Sequence, residues 1–303
     1  MTADLPGTSP GMTAARTTVV VATRNRCAEL LRTLGKLAAL RPRPPVIVLD
    51  NDSTDATVPA VTAAAESLGG IELVRLSHNA GATARNVGVE RADTPYVAFS
   101  DDDSWWAADA LARAERLFDA HPTLGLLAAR TLVGPDEHED PVSTQMARSP
   151  LGHDPGLPGP SVLGFLACSA VVRRGAFLDA GGFSAVLHFA GEETLLAYDL
   201  AAAGWQLCYV DGVRAHHHPS LVRGDRLQRD VRQLRNHTLV TWMRRPAPVA
   251  VRTGLGLLRQ TLRYPPAGLA VAAALARLPM ALARRHRLPD EVEERIRVLD
   301  AAP

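Results

Sequence analysis

Apolar and polar positions alternate with two different periods over the first hundred residues of the chain. Short runs rich in β-branched or aromatic residues predict buried strands at residues 17–22, 45–50, 71–76 and 96–100. Longer stretches with apolar residues at helical spacing predict helices at residues 27–40, 55–68 and 80–92. Strands that alternate with helices predict a parallel sheet with helices on both faces. Ligands of such sheets bind beyond the carboxyl ends of the strands, so these ends hold the first candidates for a functional site.

The same patterns continue the predicted domain to about residue 220. In chain order they predict a helix at 107–122, strands at 124–130 and 165–173, a glycine-marked turn at 180–183, a helix at 191–204 and a strand at 205–210. Residues 134–160 are rich in Pro, Gly, Asp and His, which predicts a long mobile loop, and long loops are often functional.

The composition indicates a globular protein without disulfides. Of the 303 residues, 47% are hydrophobic and 21% are charged, so one large domain with an appendage can bury a sizeable core. Cys27, Cys168 and Cys208 have no C-x-x-C spacing, which favours a reducing compartment such as the cytoplasm. Residues 1–16 are rich in Thr, Pro, Gly and Ala and lack a long apolar run, which predicts a disordered lead-in.

A net charge of +1 hides a strong asymmetry along the chain. Residues 219–287 hold fourteen arginines against two acids, so the rest of the chain is acidic. We predict a basic helical tail over residues 221–303, and its charge favours an anionic partner. Five prolines are expected to break its helices: Pro246, Pro248, Pro265, Pro266 and Pro279.

Two features of the basic tail bear on membranes. Residues 267–283 form an apolar run that contains Arg277, and a stripe of arginines recurs at every third position before it: Arg223, Arg226, Arg229, Arg232 and Arg235. Seventeen residues with an arginine among them are marginal for crossing a bilayer, so we expect peripheral association with an anionic membrane at its inner face. A solvated helical extension, a dimer contact and true spanning are the alternatives. Nucleic acid is not expected, because interleaved aromatic residues are missing.

Three consecutive acids, Asp101, Asp102 and Asp103, follow the strand predicted at residues 96–100. Two carboxylates about 5 Å apart repel by roughly 3 kcal/mol at an effective dielectric of about 20, so the run needs a compensating charge. In an extended chain, Asp101 and Asp103 face the same point and Asp102 faces away. Two such ligands suit Mg²⁺ or Mn²⁺, which takes its other ligands from water and substrate phosphate. The alternatives are an N-cap of a helix beginning near Trp105 and a phosphatase-type D-x-D-x-T motif.

Five segments, taken together, carry a resemblance to a known family: VVVATRNR, VLDNDSTDAT, HNAGATARNVGVERADTPYVAFSDDDSWW, AGGF and GEETLLAYDLAAAGWQLCYVDGVRAHHHPS. In this order, over about residues 17–220, they resemble the inverting family-two nucleotide-sugar glycosyltransferases. The resemblance implies an α/β GT-A fold, with a Rossmann-like, mainly parallel sheet flanked by helices. It also implies metal-dependent transfer of a sugar from a nucleoside-diphosphate sugar to a hydroxyl acceptor. A glycan or lipid-linked glycan of cell-envelope polysaccharide synthesis is the expected acceptor.

The resemblance implies a nucleotide site at the ends of the first two strands. Thr23, Arg24 and Asn25 match the turn after the first strand, and Asp50 matches the acid that ends the second. Asp52 stands where the family usually has glycine, and this departure leaves the base open among uracil, guanine and thymine.

The acidic run and the histidines near residue 217 match the family's metal site. The resemblance implies that Asp101 and Asp103 bind the cation, while Asp102 is placed with the nucleotide-binding residues. His217 and His218 are candidates to complete the metal shell, and the alternative for both is a solvated or paired histidine.

The remaining roles concern the diphosphate and the acceptor. Arg85 is expected against the diphosphate, with pairing to the acidic cluster at the surface as the alternative. Glu193 matches the general base, although the family usually has Asp there, and Glu192 is a substitute. Both acids could instead complement a helix dipole. Trp105 and Trp106 are either acceptor platforms or core residues.

Two other classes of protein share this architecture. A non-catalytic nucleotide-sugar-binding or scaffold protein is the main alternative, because Glu rather than Asp stands at the position of the base. A sugar nucleotidyltransferase is disfavoured, because it needs a glycine-rich phosphate loop where this chain has TRNR.

Overall fold

A computed structural model of the chain describes residues 14–220 and 225–302. The predicted lead-in therefore lies outside the described residues, except for its last three positions, and so does Arg223 of the arginine stripe. Within the described ranges, nine strands form one sheet in the order β3-β2-β1-β4-β8-β6-β9-β5, with β7 paired to β6. The strands are β1 (Thr17–Thr23), β2 (Val46–Asp50), β3 (Ile71–Arg75), β4 (Tyr96–Asp101), β5 (Ser104–Trp106), β6 (Leu124–Val133), β7 (His138–Glu139), β8 (Ala170–Arg173) and β9 (Gln206–His217).

Helices cover both faces of this sheet and continue beyond it. They are α1 (Cys27–Ala38), α2 (Thr57–Leu68), α3 (Ala84–Arg91), α4 (Ala110–Ala120), α5 (Pro141–Ala147), α6 (Arg174–Asp179), α7 (Glu192–Ala202), α8 (Arg226–Arg244), α9 (Ala247–Gln260), α10 (Ala267–Ala283) and α11 (Asp290–Ala301). The strands β3, β2, β1 and β4 are parallel, whereas β8 and β5 run antiparallel to their neighbours. The predicted α/β architecture is confirmed.

Alternation along β1 shows how the sequence builds two cores. Val20 packs into the cluster on one face of the sheet, whereas Val19 and Val21 pack into the cluster on the other. On that second face, α1 contributes Leu30 and Leu34, which are both fully buried and lie one helical turn apart. Alternate residues of the strand and residues one turn apart on the helix therefore pack into the same core.

Three predicted boundaries differ from the structure. The segment 134–160 contains β7 and α5, so the prediction of one long loop is wrong there, and its mobility stays a prediction. The strand predicted at 165–173 begins only at Ala170, after a 3₁₀ turn. The last strand, predicted to end at residue 210, continues to His217 because a register shift opposite Ala129 and Arg130 absorbs the extra residues.

The C-terminal region is helical, as predicted, and it packs against the sheet domain. Arg244 of α8 forms an ion pair with Asp199 of α7, and Arg245 pairs with Glu293 of α11. Pro279 lies inside α10 and does not end it, contrary to the prediction. Across residues 14–220 and 225–302, none of the helices combines the length and apolar character that crossing a membrane requires.

Candidate active site

A polar cleft of about 360 Å³ opens at the carboxyl ends of β1, β2 and β4, where a parallel sheet is expected to bind ligands. Its lining is rich in charged side chains of both signs. The residues that line it are Ala22, Thr23, Arg24, Arg26, Asn51, Asn79, Gly81, Arg85, Asp101, Asp102, Asp103, His188, Phe189, His217 and Arg232. Arginines therefore face a run of carboxylates across a space large enough for a small ligand.

The acidic run forms a tight turn and not an extended segment. Asp101 ends β4, and its N–H donates to the hydroxyl of Ser104 at 2.7 Å, where β5 begins. The prediction that Asp102 faces away from Asp101 and Asp103 is therefore wrong, and all three residues line the cleft. The N-cap alternative is also wrong, because the next helix begins only at Ala110.

Crowding of like charges is visible in the acidity of this turn. Burial, followed by the charges of Asp101 and Asp103, raises the pKa of Asp102 to about 7, although the Thr23 hydroxyl donates to its Oδ2 at 3.0 Å. Burial alone would raise the pKa of Asp103 as well. A hydrogen bond and charge from His217 outweigh that burial and, with the N–H of Ser220, lower the pKa of Asp103.

The three histidines at the end of β9 face two sides of the strand. Nε2 of His217 lies 3.4 Å from Oδ1 of Asp103, and His217 lines the cleft. His216 and His218 face the other way, and their rings pack on Trp105 at centroid distances of 5.8 and 4.6 Å. The structure thus brings His217 to the acidic turn, and it does not bring His218 into the cleft.

The two tryptophans after the acidic turn are core residues. Trp105 is 8% exposed and Trp106 is 2% exposed, and both belong to the core on the α1 side of the sheet. Neither lines the cleft, so the structure does not present them as platforms for an acceptor sugar.

Arg85 lies between two groups of acids. Its side chain is only 5% exposed and forms an ion pair with Oδ1 of Asp101. Burial alone would lower the pKa of Arg85, but the charges of Asp101, Glu192 and Glu193 raise it. The alternative prediction of a surface arginine is wrong in its exposure, although the pairing with the acidic cluster is present. Arg85 keeps its charge and ties the acidic turn to the acids of α7.

Glu192 and Glu193 begin α7 directly after Gly191, whose φ of +83° lies in the left-handed region that favours glycine. Burial raises the pKa of both acids, helped by the charge of Glu193 at Glu192 and by that of Asp101 at Glu193, and Arg85 opposes the effect. Glu192 is buried, and its Oε2 has no hydrogen-bond partner among the described residues. Glu193 is less buried as a residue, and the backbone of Ala167 stabilises its carboxylate, but neither acid is among the residues that line the cleft.

The turns after β1 and β2 are tied to each other. Asn25 has a φ of +55° and does not line the cleft. Its Oδ1 accepts a hydrogen bond from the N–H of Thr54 at 2.8 Å. Asp52 has a φ of +63°, which lies in the left-handed region that favours glycine. Asp50 is 1% exposed; its Oδ2 accepts from Ser53 N–H at 3.3 Å, and its Oδ1 has no partner in the described part of the chain.

Several cleft residues were not found from the sequence. Asn51, Asn79 and Arg26 lie in turns next to predicted residues, and their position after strand ends was the available signal. His188, Phe189 and Arg232 come from the far half of the chain, and only the packing of α8 onto the loop before α7 brings them to the cleft. The guanidinium of Arg232 lies 5.9 Å from the centre of the Phe189 ring.

The loop that carries His188 is held from both sides. The carbonyl oxygen of His188 accepts a hydrogen bond from Ala82 N–H at 2.7 Å. Gly81 leaves room for this oxygen, because a Cβ at position 81 would lie 2.2 Å from it. On the other side, the side-chain amide of Asn236 in α8 donates to the carbonyls of Phe189 and Ala190 at 2.8 and 2.5 Å. The C-terminal helices therefore fix the loop that leads into Glu192.

We expect Asn236→Ala to loosen this loop and to lower the free energy of unfolding by about 2 kcal/mol, because it leaves buried carbonyls without their donor. Urea unfolding and the rate of limited proteolysis at residues 187–191 measure the two effects. Gln233→Ala, an exposed change one turn earlier on α8, is the control and should alter neither. Unchanged stability and proteolysis in Asn236→Ala would show that the loop is held by other contacts.

No group of three or more His, Cys, Asp or Glu that could hold a metal ion occurs within residues 14–220 and 225–302. The pair formed by Asp101 and Asp103 is the densest acidic site in the cleft, with His217 beside it. A cation bound there would need ligands from outside the chain, such as water or phosphate oxygens.

Comparison with known sequences places the chain among glycosyltransferases. The profile described as glycosyl transferase family 2 matches residues 18–181. The chain is 32% identical over 221 residues to the pre-mycofactocin glycosyltransferase of Mycobacterium tuberculosis. That alignment covers 68% of the chain and 43% of the relative, so the chain spans less than half the length of the curated relatives it matches.

Solved structures share the fold at low sequence identity. The mannosyltransferase PcManGT of Pyrobaculum calidifontis, in complex with GDP-Man and Mn²⁺, has a TM-score of 0.61 at 22% identity, covering 92% of this chain and 78% of that one. S. aureus TarS 1–349, in complex with UDP-GlcNAc, has a TM-score of 0.57 at 16% identity, covering 74% and 66%. These similarities confirm the predicted GT-A fold.

Proposed function

Because the chain belongs to glycosyl transferase family 2, we propose that its cleft transfers a sugar from a nucleoside-diphosphate sugar to an acceptor hydroxyl. The observation that carries this proposal is the cleft itself, where the acidic turn at Asp101–Asp103 faces arginines at the carboxyl end of the sheet. Structures with the same fold bind GDP-Man and UDP-GlcNAc, which supports a nucleotide sugar as the donor class.

The nucleotide is proposed to lie along the ends of β1 and β2. Thr23 and Arg24 line the cleft there, and Arg24 is exposed and available to phosphate or ribose. The unpartnered Oδ1 of Asp50 is an acceptor that lacks a donor, which suits a ring N–H of a base at the end of β2. Asn25 acts indirectly in this account, because it joins the two turns.

The acidic turn fits Mg²⁺ or Mn²⁺. Its donors are carboxylate oxygens, the ligand type of hard divalent cations, and burial followed by the charges of Asp101 and Asp103 raises the pKa of Asp102, so the turn holds crowded negative charge that a cation would offset. Asp101 and Asp103 would hold the ion together with the donor's phosphates, and His217 beside Asp103 is the candidate nitrogen ligand, a role that would require it to lose its proton. When bound, the ion would stabilise negative charge on the departing diphosphate. His218 is no longer a candidate ligand, because its ring packs on Trp105.

The chain's own residues supply the remaining chemistry. Glu193 is proposed to remove the proton of the acceptor hydroxyl, since it matches the family's base and as a residue is less buried than Glu192, and burial raises its pKa, which makes its carboxylate a stronger base. Arg85 holds Asp101 and the acids of α7 in one charge network. Direct displacement at the anomeric carbon by the activated hydroxyl would invert its configuration, in keeping with the inverting mechanism.

The acceptor is proposed to be a glycan or a lipid-linked glycan of the cell envelope, reached at a membrane surface. The basic C-terminal helices support this choice, because one of them contributes Arg232 to the cleft. A non-catalytic scaffold is less well supported, because a partly accessible acid next to an arginine network has no evident use in binding alone.

A thermal-shift screen tests the proposed donor class. We expect one of the UDP-, GDP- or dTDP-sugars to raise the melting temperature in the presence of Mn²⁺, and to do so less with a chelator. At a ligand concentration of about 100 times Kd the stabilisation is about 2.7 kcal/mol, or roughly 5 °C for a domain of this size. If none of the nucleotide sugars raised the melting temperature at millimolar concentration, the proposed function would be wrong.

A further inference from the structure

An apolar groove of about 510 Å³ lies between α9 and α10, away from the catalytic cleft. Val251, Leu255 and Leu258 of α9, and Leu262 in the turn just after it, follow one another at intervals of four, three and four residues. This spacing places the first three on one face of the helix, and Leu262 continues the apolar series beyond its end. They remain exposed, from 49% at Leu255 to 87% at Leu262, so this face has no partner in the described part of the chain.

The facing helix repeats the same spacing. Val271, Leu275, Leu278 and Leu282 of α10 also follow at intervals of four, three and four residues, and all four line the groove. Leu275 and Leu282 are more than half exposed. Two apolar stripes therefore open to solvent side by side, which is an unusual amount of exposed leucine for a protein surface.

Arginines border the stripe on α9. Arg252 and Arg259 of α9, and Arg263 in the turn just after it, each follow an apolar member of the series by one residue, which turns the first two by about 100° around the helix. All three are exposed, and none has an ion-pair partner among the described residues. Between Asp230 and Asp290 the sequence contains eleven arginines and no acidic residue. In this part of the sequence, the charged side chains around the apolar face are therefore all positive.

We propose that the face formed by α9 and α10 docks on an anionic lipid membrane. Helices with an apolar stripe bordered by cations lie in the interface of a bilayer, where the apolar side chains insert below the headgroups. Arginines can bury their methylene stems and keep their guanidinium groups on lipid phosphates. The groove and its border satisfy both requirements within two adjacent helices.

Charge complementarity selects the membrane over a second copy of the chain. A twofold dimer through this face would bring the same surface of two chains together. Arg252, Arg259 and Arg263 of one copy would then lie near those of the other, without acids from this region to neutralise them. An anionic lipid surface supplies the missing negative charge.

Docking through this face would place the catalytic cleft close to the membrane. Helix α8 carries Trp242, which lines the groove, and Arg232, which lines the cleft. These positions are ten residues apart, or about 15 Å along the helix axis. A lipid-linked acceptor would therefore lie within reach of the cleft; this last step rests on the proposed function.

Vesicle sedimentation tests the docking surface without any nucleotide sugar. Wild-type protein should bind vesicles of phosphatidylcholine with 30% phosphatidylglycerol and should bind pure phosphatidylcholine vesicles much less. Arg252→Glu with Arg259→Glu and Arg263→Glu should weaken binding roughly a hundredfold, at about fivefold or more per arginine near an anionic surface. Leu255→Glu with Leu258→Glu should also prevent binding, because it removes the inserted face.

Matched controls and a second readout keep the test sharp. Leu178→Glu and Arg116→Glu change an exposed leucine and an exposed arginine on the sheet domain, and both should bind vesicles like wild type. Thermal unfolding of every variant separates lost binding from lost folding. The proposal is overturned if folded wild-type protein does not bind anionic vesicles. It is also overturned if the wild-type protein is a dimer and the Leu255→Glu, Leu258→Glu variant is a monomer. Donor binding is measured separately, so failure here leaves the proposed function untouched.

Discussion

Replacing Asp103 by Asn is expected to abolish metal-dependent binding of the donor and to lower the rate of sugar transfer by about 10³-fold. Asn keeps the shape of the side chain but removes the negative charge that a divalent cation needs, and with it several kcal/mol of stabilisation of the leaving diphosphate. Calorimetric titration of the nucleotide with and without Mn²⁺, together with a transfer assay, measures both losses.

The control for this change is Asp109→Asn. Asp109 is exposed, lies six residues further along the chain and forms an ion pair with Arg113 at 3.3 Å outside the cleft, so its replacement should alter neither binding nor transfer. Transfer by the wild type in the presence of a chelator would contradict the metal assignment. So would an Asp103→Asn variant that still responds to Mn²⁺.

Glu193→Gln is expected to lower kcat by about 10²–10⁴-fold while it leaves donor binding intact, because a general base acts on the acceptor and not on the nucleotide. Burial raises the pKa of Glu193 above that of an ordinary glutamate, so the wild-type rate should keep rising with pH beyond the range in which an ordinary glutamate titrates. Steady-state kinetics from pH 5.5 to 8.5, with donor affinity measured in parallel, test both statements.

Glu192→Gln is the matched comparison, since it makes the same chemical change one residue earlier on α7. Its side chain is buried, so we expect a smaller loss of rate than for Glu193→Gln. A larger loss in Glu192→Gln would assign the base to Glu192. Weaker donor binding in both variants would remove the acids of α7 from the chemistry and give them a structural role.

The sheet was predictable because its signals are local. Strand β1 reads as a run of Thr and Val, and its two faces bury different cores, so neither the period nor the length of the run was ambiguous.

Helix α5 also carried a local signal, but the composition of the segment around it concealed that signal. Asp140 accepts from Val142 N–H at 2.8 Å as an N-cap, and Pro141 occupies the first turn, yet the surrounding Pro, Gly and Asp suggested a loop.

The candidate site was less predictable because its contacts join distant parts of the chain. The identity of Asp101 and Asp103 was clear from the sequence, but the turn that orients them depends on Ser104 and on pairing with β9. Arg232 and His188 reach the cleft only because Asn236 fixes a loop nearly fifty residues before it. The spacing of residues along the sequence does not indicate such contacts between distant segments.

The burial of Arg85 could not be inferred from its neighbours. The sequence left two places open for Arg85, a contact with the diphosphate and a surface ion pair with the acidic cluster. The fold places α3, which carries Arg85, between β1 and the loop before α7, so the guanidinium is enclosed and meets Asp101 and the acids of α7. An ion network of this kind is decided by tertiary packing.

The central claim is that Asp101 and Asp103 share a divalent cation with the diphosphate of the donor. A crystal structure with Mn²⁺ and the nucleoside diphosphate that stabilises the protein most tests it directly, because the anomalous signal of manganese locates the ion. We predict a single manganese in contact with a carboxylate of the acidic turn and with phosphate oxygens. Manganese bound away from both carboxylates, or a nucleotide bound outside this cleft, would contradict the account.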